Sequence, residues 1–311
     1  MEGLRDPKTV FVATDIAGAK EEFDPLASVT AAEALPVPSS WLPQDVDESI
    51  PPVESGASCA LDDIVQNAGK RLQELVASVD RFTATEMVSQ QSLNKWGAPS
   101  SPAKAQFDYI VTMEETRRGA LSVEEYRQRR AASQDFSEEV ITSGLPALVV
   151  IFHPFYSGNY DLRCEGLARW NGGLAWQVHF RQRADKPNAV RSYKLGLEGP
   201  SYPVALKGRA WIAADTYQIV RLETNLVAPL PQIRLAAEHV NIEYAPVHFR
   251  QTAADMWLPA NVEIYYDWRG RRVHRQHRFT NYLLFSVEDK QHISDPRLPP
   301  SGDAQTKKPP R

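Results

Sequence analysis

The sequence predicts a mainly β domain with some α (α+β): a curved antiparallel sheet or half-barrel of about ten strands, with an N-terminal amphipathic helix on its concave face. Three observations carry this. Segments alternating apolar and polar residues follow one another between turn formers, the period-2 signature of half-buried strands. Only one long stretch, from Leu61 to Val79, has clean helical spacing. The last two strands, either side of Arg269-Gly270, are too long for one small sandwich, and long neighbouring strands imply an open, curved sheet.

Proline content marks the domain edges. Residues 1–58 hold seven of the 23 prolines among acids and turn formers. They read as a largely disordered linker with one short helix near Ala27–Leu35. Residues 294–311 hold five more and read as a disordered tail. One domain, 59–293, lies between them.

The helix opens it. Leu61, Ile64, Val65, Ala68, Leu72, Leu75, Val76 and Val79 share a face. Ser58 is placed to cap it, and Asp62 and Asp63 suit the positive first turn. Strands follow at Phe82–Gln91, at Phe107 to Met113 and, after Arg117-Arg118-Gly119, at Leu121 to Tyr126. Ser137–Phe152 reads as a shorter helix or cover, broken at Gly144-Leu145-Pro146. Strands resume from Asp161, turn at Asn171-Gly172-Gly173, and continue through Ala205–Ala213 and Tyr217–Leu226. Arg234–Tyr244 and His248–Trp257 follow, then the hairpin Asn261–Phe285. Its two-residue loop places Asp267 opposite Arg272, Tyr265 opposite His274, Tyr266 opposite Val273 and Val262 opposite His277.

Composition narrows the function classes. A net charge of −4 over 311 residues argues against a dedicated nucleic-acid binder. No apolar run reaches the length of a membrane span. The opening residues lack the segments of a secretory signal, so the chain reads as cytoplasmic if taken literally, or as a fragment of a longer protein. Cys59 and Cys164 either form one disulfide in an oxidising compartment or are two separate buried thiols.

No dinucleotide, phosphate-loop, zincin or nucleophile-elbow motif is present, and no cofactor is expected. His274 and His277 stand three apart on a strand, so they face opposite ways and cannot share a metal ion. Separate residues could still converge as a hidden site, for example His153, Tyr156 and Asp161. Arg269, Arg271, Arg272, Arg275 and Arg278 suit either an anionic partner or a coated outer face, and alternation divides them between both faces.

The order of helix and strand meander resembles the periplasmic lipoprotein-carrier superfamily, which includes lipoprotein-sorting carriers, their outer-membrane receptor and an envelope-stress regulator. The local echoes are LKGRAWIAADTYQIVRLET, Leu206–Thr224, and WLPANVEIYYDWRG, Trp257–Gly270. The chain also looks like the C-terminal region of envelope proteins with tetratricopeptide repeats upstream. The resemblance implies a periplasmic or envelope-associated, non-catalytic protein that encloses a lipid, acyl chain or other hydrophobic ligand between helix and sheet. Leu72, Val76, Phe107, Tyr109, Trp176, Phe180, Trp211 and Tyr266 would line that space. Two other readings are a protein-interaction module of an envelope assembly and an enzyme whose site the sequence conceals.

Overall fold

The computed structural model describes residues 13–15, 42–79, 81–94, 96, 98–115, 120–133, 136, 144–194, 200–249 and 255–285. The expected helix near 27–35, the connection 117–119, the start of the cover at 137–143 and the tail 294–311 lie outside these residues.

In chain order the elements are β1 (Ala13–Asp15), α1 (Leu61–Ser78), β2 (Arg81–Ser92), β3 (Ala103–Glu115) and β4 (Leu121–Ala132). The helix α2 (Pro154–Ser157) precedes β5 (Tyr160–Trp170), β6 (Gly173–Gln182), β7 (Ser192–Lys194) and β8 (Ser201–Pro203). The rest are β9 (Leu206–Ala213), β10 (Ile219–Leu226), β11 (Leu235–Val247), β12 (Met256–Trp268) and β13 (Arg271–Phe285). Ten strands make one antiparallel sheet in the order β4-β3-β2-β13-β12-β11-β10-β9-β6-β5. Its two ends, β4 and β5, do not pair with each other, so the half-barrel stays open. Strands β1, β7 and β8 form a separate small sheet.

The closing hairpin has the expected register: Asp267 pairs with Arg272, Tyr265 with His274, Tyr266 with Val273 and Val262 with His277. Arg269 and Gly270 both take positive φ, at 54° and 73°, as a tight hairpin loop requires. Two boundaries differ. The expected strand His248–Trp257 is replaced at its described ends: β11 runs on to Val247, His248 and Phe249 lie beyond it, and β12 starts at Met256, while 250–254 lie outside the described residues. A register shift between Glu243 and Tyr244 lets Pro259 sit inside β12. The expected break at Gly144-Leu145-Pro146 is followed by helical cover, not preceded by any among the described residues. A 3-10 helix, Pro146–Phe152, begins there with proline at its first turn.

Paired residues point to one side, so the registers define two faces. On the inner face Phe82, Tyr109, Phe279, Ile264, Val240 and Leu222 join the residues of α1 and Leu148–Phe152 in one buried apolar cluster. Ile64, Ala68, Gly69 and Leu72 are the buried stripe of α1. Gly69 lets the helix approach: an added Cβ would stand 3.0 Å from the Phe152 carbonyl oxygen. The N-cap is Ala60 without a side-chain bond, so Ser58 does not cap; Asp62 and Asp63 remain in the first turn.

Residues 42–58, expected as linker, lie as a strap along the outer face. The Arg209 guanidinium donates to the Val46 carbonyl at 2.9 Å and the Ser49 carbonyl at 3.1 Å, while pairing with the buried Glu165 carboxylate. Lys207 meets Asp45 at 2.6 Å and Asp47 at 2.7 Å, and His179 meets Asp47 at 2.8 Å. Val46, 3% exposed, is the apolar anchor. The strap then reaches β5, where the Glu54 amide donates to the Leu167 carbonyl at 2.6 Å. Beyond it, Cys59 and Cys164 form a disulfide across a sequence separation of 105 residues. The chain thus passes from the outer face, around the β5 edge, into α1 on the inner face.

Candidate functional site

Between the first turns of α1 and the end strand β5 lies an open groove of about 420 Å³. Leu61 and Val65 form its helix wall, Leu162 and Tyr160 its strand wall, and Phe152 and Pro154 close it below. The ring of Phe180 stands edge-on behind both Phe152 and Tyr160, at 6.0 and 5.9 Å between centroids, and so fixes the floor. Asp62, Gln66 and Ser157 are its polar rim. Burial pushes the Tyr160 hydroxyl well above its ordinary pKa, so it stays neutral. The disulfide stands beside the groove: Cys59 precedes Leu61 by two residues, and Cys164 shares the inner face of β5 with Leu162.

The eight residues expected to line a cavity do not meet there. Leu72, Tyr109, Phe180 and Tyr266 are buried in the packed inner cluster, with Val76 and Trp176 partly buried. Phe107 packs on Phe136, Val88 and Ala105 in a small satellite cluster. Trp211 faces the other way. Its neighbour Arg221 is on the outer face, and the guanidinium lies over Trp170 at 4.4 Å and over Trp211 at 4.7 Å. Strand β9 is buried on both faces, which erases the alternation that would have shown this. The groove itself uses the N-terminal end of the helix stripe, a position that only the disulfide and the folding of 146–152 against α1 define.

The inner face also buries charge. Glu86, wholly buried, accepts from Arg127 at 2.6 and 3.1 Å and meets His277 Nδ1 at 2.7 Å. Burial alone would raise the Glu86 carboxyl; Arg127 and His277 outweigh it and hold it at about 2. Glu125, on the other side of Arg127, goes the opposite way, because burial dominates there. The Arg127 guanidinium also covers the Tyr109 ring at 4.7 Å. A second buried pair joins Arg191 and Glu238 at 2.7 Å, with the Tyr193 hydroxyl also on Glu238. These groups pair with one another inside the core, which is a structural arrangement.

His153 and Tyr156 adjoin, at 6.0 Å between rings, but Asp161 points to the outer face opposite Arg181, so the triple does not converge. His274 and His277 lie on opposite faces: His274 stacks on Tyr265 and His277 sits on Glu86. The hairpin arginines divide too, with Arg275 buried inside against Gln90 and Arg272 outside on Asp267. Among the described residues no group of three potential metal ligands occurs, and no helix is long and apolar enough to cross a membrane.

A scan against family models and a search of curated proteins return no match. Several solved structures align with most of the chain at low identity. A DUF1329 family protein from Desulfovibrio piger is 11% identical over 73% of this chain and 94% of its own, with a TM-score of 0.37. A LolA superfamily protein from Nitrosomonas europaea is 9% identical over 76% and 99%, at 0.31. The lipoprotein LppX of Mycobacterium tuberculosis is 10% identical over 72% and 96%, at 0.27. The chain's own architecture is an open, curved antiparallel sheet with few helices. These likenesses lend nothing to a link with tetratricopeptide-repeat proteins.

Proposed function

We infer that this protein is a non-catalytic envelope protein that binds one hydrophobic chain, such as a lipid acyl tail, in the groove between α1 and β5. The observation that carries this is the groove: about 420 Å³, walled by Leu61, Val65, Leu162 and Phe152, and open to solvent beside the buried apolar cluster. That volume suits a small apolar ligand. Each methylene buried there contributes about 0.8 kcal/mol. The wholly buried Phe180 gives the floor a rigid backing. A disulfide fits an oxidising compartment, which agrees with a periplasmic or extracellular site of action.

Native mass spectrometry of the full chain, exported to the periplasm, tests the reading. A lipid that co-purifies and is lost on organic extraction is the expected result. Leu61→Asp and Val65→Asp each put a charge on the helix wall and should abolish retention while leaving the buried stripe of α1 intact. An apo mass for the parent, with no uptake of fatty acids or phospholipids, overturns it and favours a protein partner.

A further inference from the structure

We propose that the outer face of the sheet carries a second, separate site, for an extended uncharged β-linked glycan lying across the strands. A hollow of about 610 Å³ runs there over β11, β12, β13, β2 and β3. The registers set its walls as two rows perpendicular to the strands. One row is Glu243, Asn261, Arg278 and Met87. The other is Asn241, Glu263, Gln276, Ser89 and Lys104.

Planar amides and carboxylates dominate these rows, and they are held in place sideways. The Asn261 amide donates to Glu243 at 3.2 Å, and the Gln276 amide donates to Glu263 at 2.9 Å. The Asn241 carbonyl oxygen accepts from Arg221 at 3.0 Å. Each amide therefore has one end fixed. Among the described residues its other end has no protein partner. Such groups match the paired hydroxyls of a sugar, donating to one and accepting from the next.

Charge and spacing select the polymer. Glu243 and Glu263 balance Lys104 and Arg278, so the hollow offers no net charge to an anionic chain. Neighbouring strands stand ~4.8 Å apart, so the five strands present one polar rung per step over roughly 19 Å. That step is close to the length of one hexose in an extended β-linked glycan. An extended peptide advances only about 3.4 Å per residue and falls out of phase.

Calorimetric titration of the full chain with cellohexaose and with chitohexaose tests this. Saturable binding of at least one is expected. Asn261→Ala with Gln276→Ala should weaken it at least about tenfold, since two ordinary hydrogen bonds are lost. Both positions are exposed, so the double variant keeps its fold, checked by its melting curve. Leu61→Asp should leave glycan affinity unchanged, which separates this site from the lipid groove on the other face. Absence of binding by both sugars, an unchanged affinity in the double variant, or tighter binding of a neutral extended peptide of equal length would each overturn the proposal. Binding only to a sulfated or uronate glycan, abolished by salt, would overturn it as well.

Discussion

Removing the Cys59–Cys164 bridge should loosen the whole β5 end of the molecule. The bridge constrains 105 residues of chain, including α1 and strands β2 to β4. Loop entropy for a closure of that size is worth about 4.7 kcal/mol, and real bridges usually deliver about 2–4. For a folded unit of this length, the second range corresponds to a melting temperature lowered by roughly 4–16 °C. The perturbation is Cys59→Ser with Cys164→Ser, and the assay is a thermal and urea melt beside the parent, each with and without reductant. Reductant should move the parent toward the double variant and leave the variant itself unmoved. Acyl retention should fall with it, because Leu61 and Leu162 would lose the tie between their elements. A variant melting within about 2 °C of the parent would refute the reasoning. So would free thiols in the native protein.

Other outcomes follow from single positions. Gly208→Ala would set its Cβ 2.1 Å from the Glu223 carbonyl oxygen and 2.3 Å from the Phe180 ring, so a loss of about 3 kcal/mol or more is expected by urea melt. Arg209→Ala would leave the buried Glu165 carboxylate with only the exposed Arg163 and would loosen the strap; a loss of about 3 kcal/mol and faster proteolysis within residues 42–58 are expected. Burial, aided by Arg221, lowers the His239 imidazole to about 4. The unfolded chain then binds the extra proton, so this stability is complete above pH ~6.5 and falls by about 3 kcal/mol as pH drops to 4. In His239→Gln the loss between pH 7 and 4 should shrink by about that amount, measured as urea midpoints. Glu86, with its carboxyl held at about 2, adds a further loss that begins only below pH ~4.5 and grows towards 2.

The sheet was legible where one face is wet. From Asn261 to Trp268 every second residue is polar, and with the two-residue loop at Arg269-Gly270 that set the register of the final hairpin to the residue. The helix was legible for the same reason, through its single buried stripe. Legibility ended where both faces are covered. In β9 seven consecutive residues are buried, so Trp211 could not be assigned a side. The covering element escaped notice because its composition is that of a linker. Its hold on the sheet depends on two acids, Asp45 and Asp47, and two carbonyls, of Val46 and Ser49, meeting Lys207, Arg209 and His179 from more than 130 residues away. The groove was hidden likewise: Leu61 and Leu162 become neighbours only once residues 146–152 and the disulfide bring α1 to β5.

The two ends of the sheet are unequal. At β5 the strap meets Leu167 and the disulfide closes on the inside, so that edge is bound over like a hem. At β4 the described strands pair on one side only, with β3. A sheet with two bare edges can add copies at both and grow into a fibre. With β5 held at Leu167, β4 is the barer of the two edges among the described residues. Two copies meeting there by a twofold axis use up both bare edges at once. Growth by this route therefore stops at a pair.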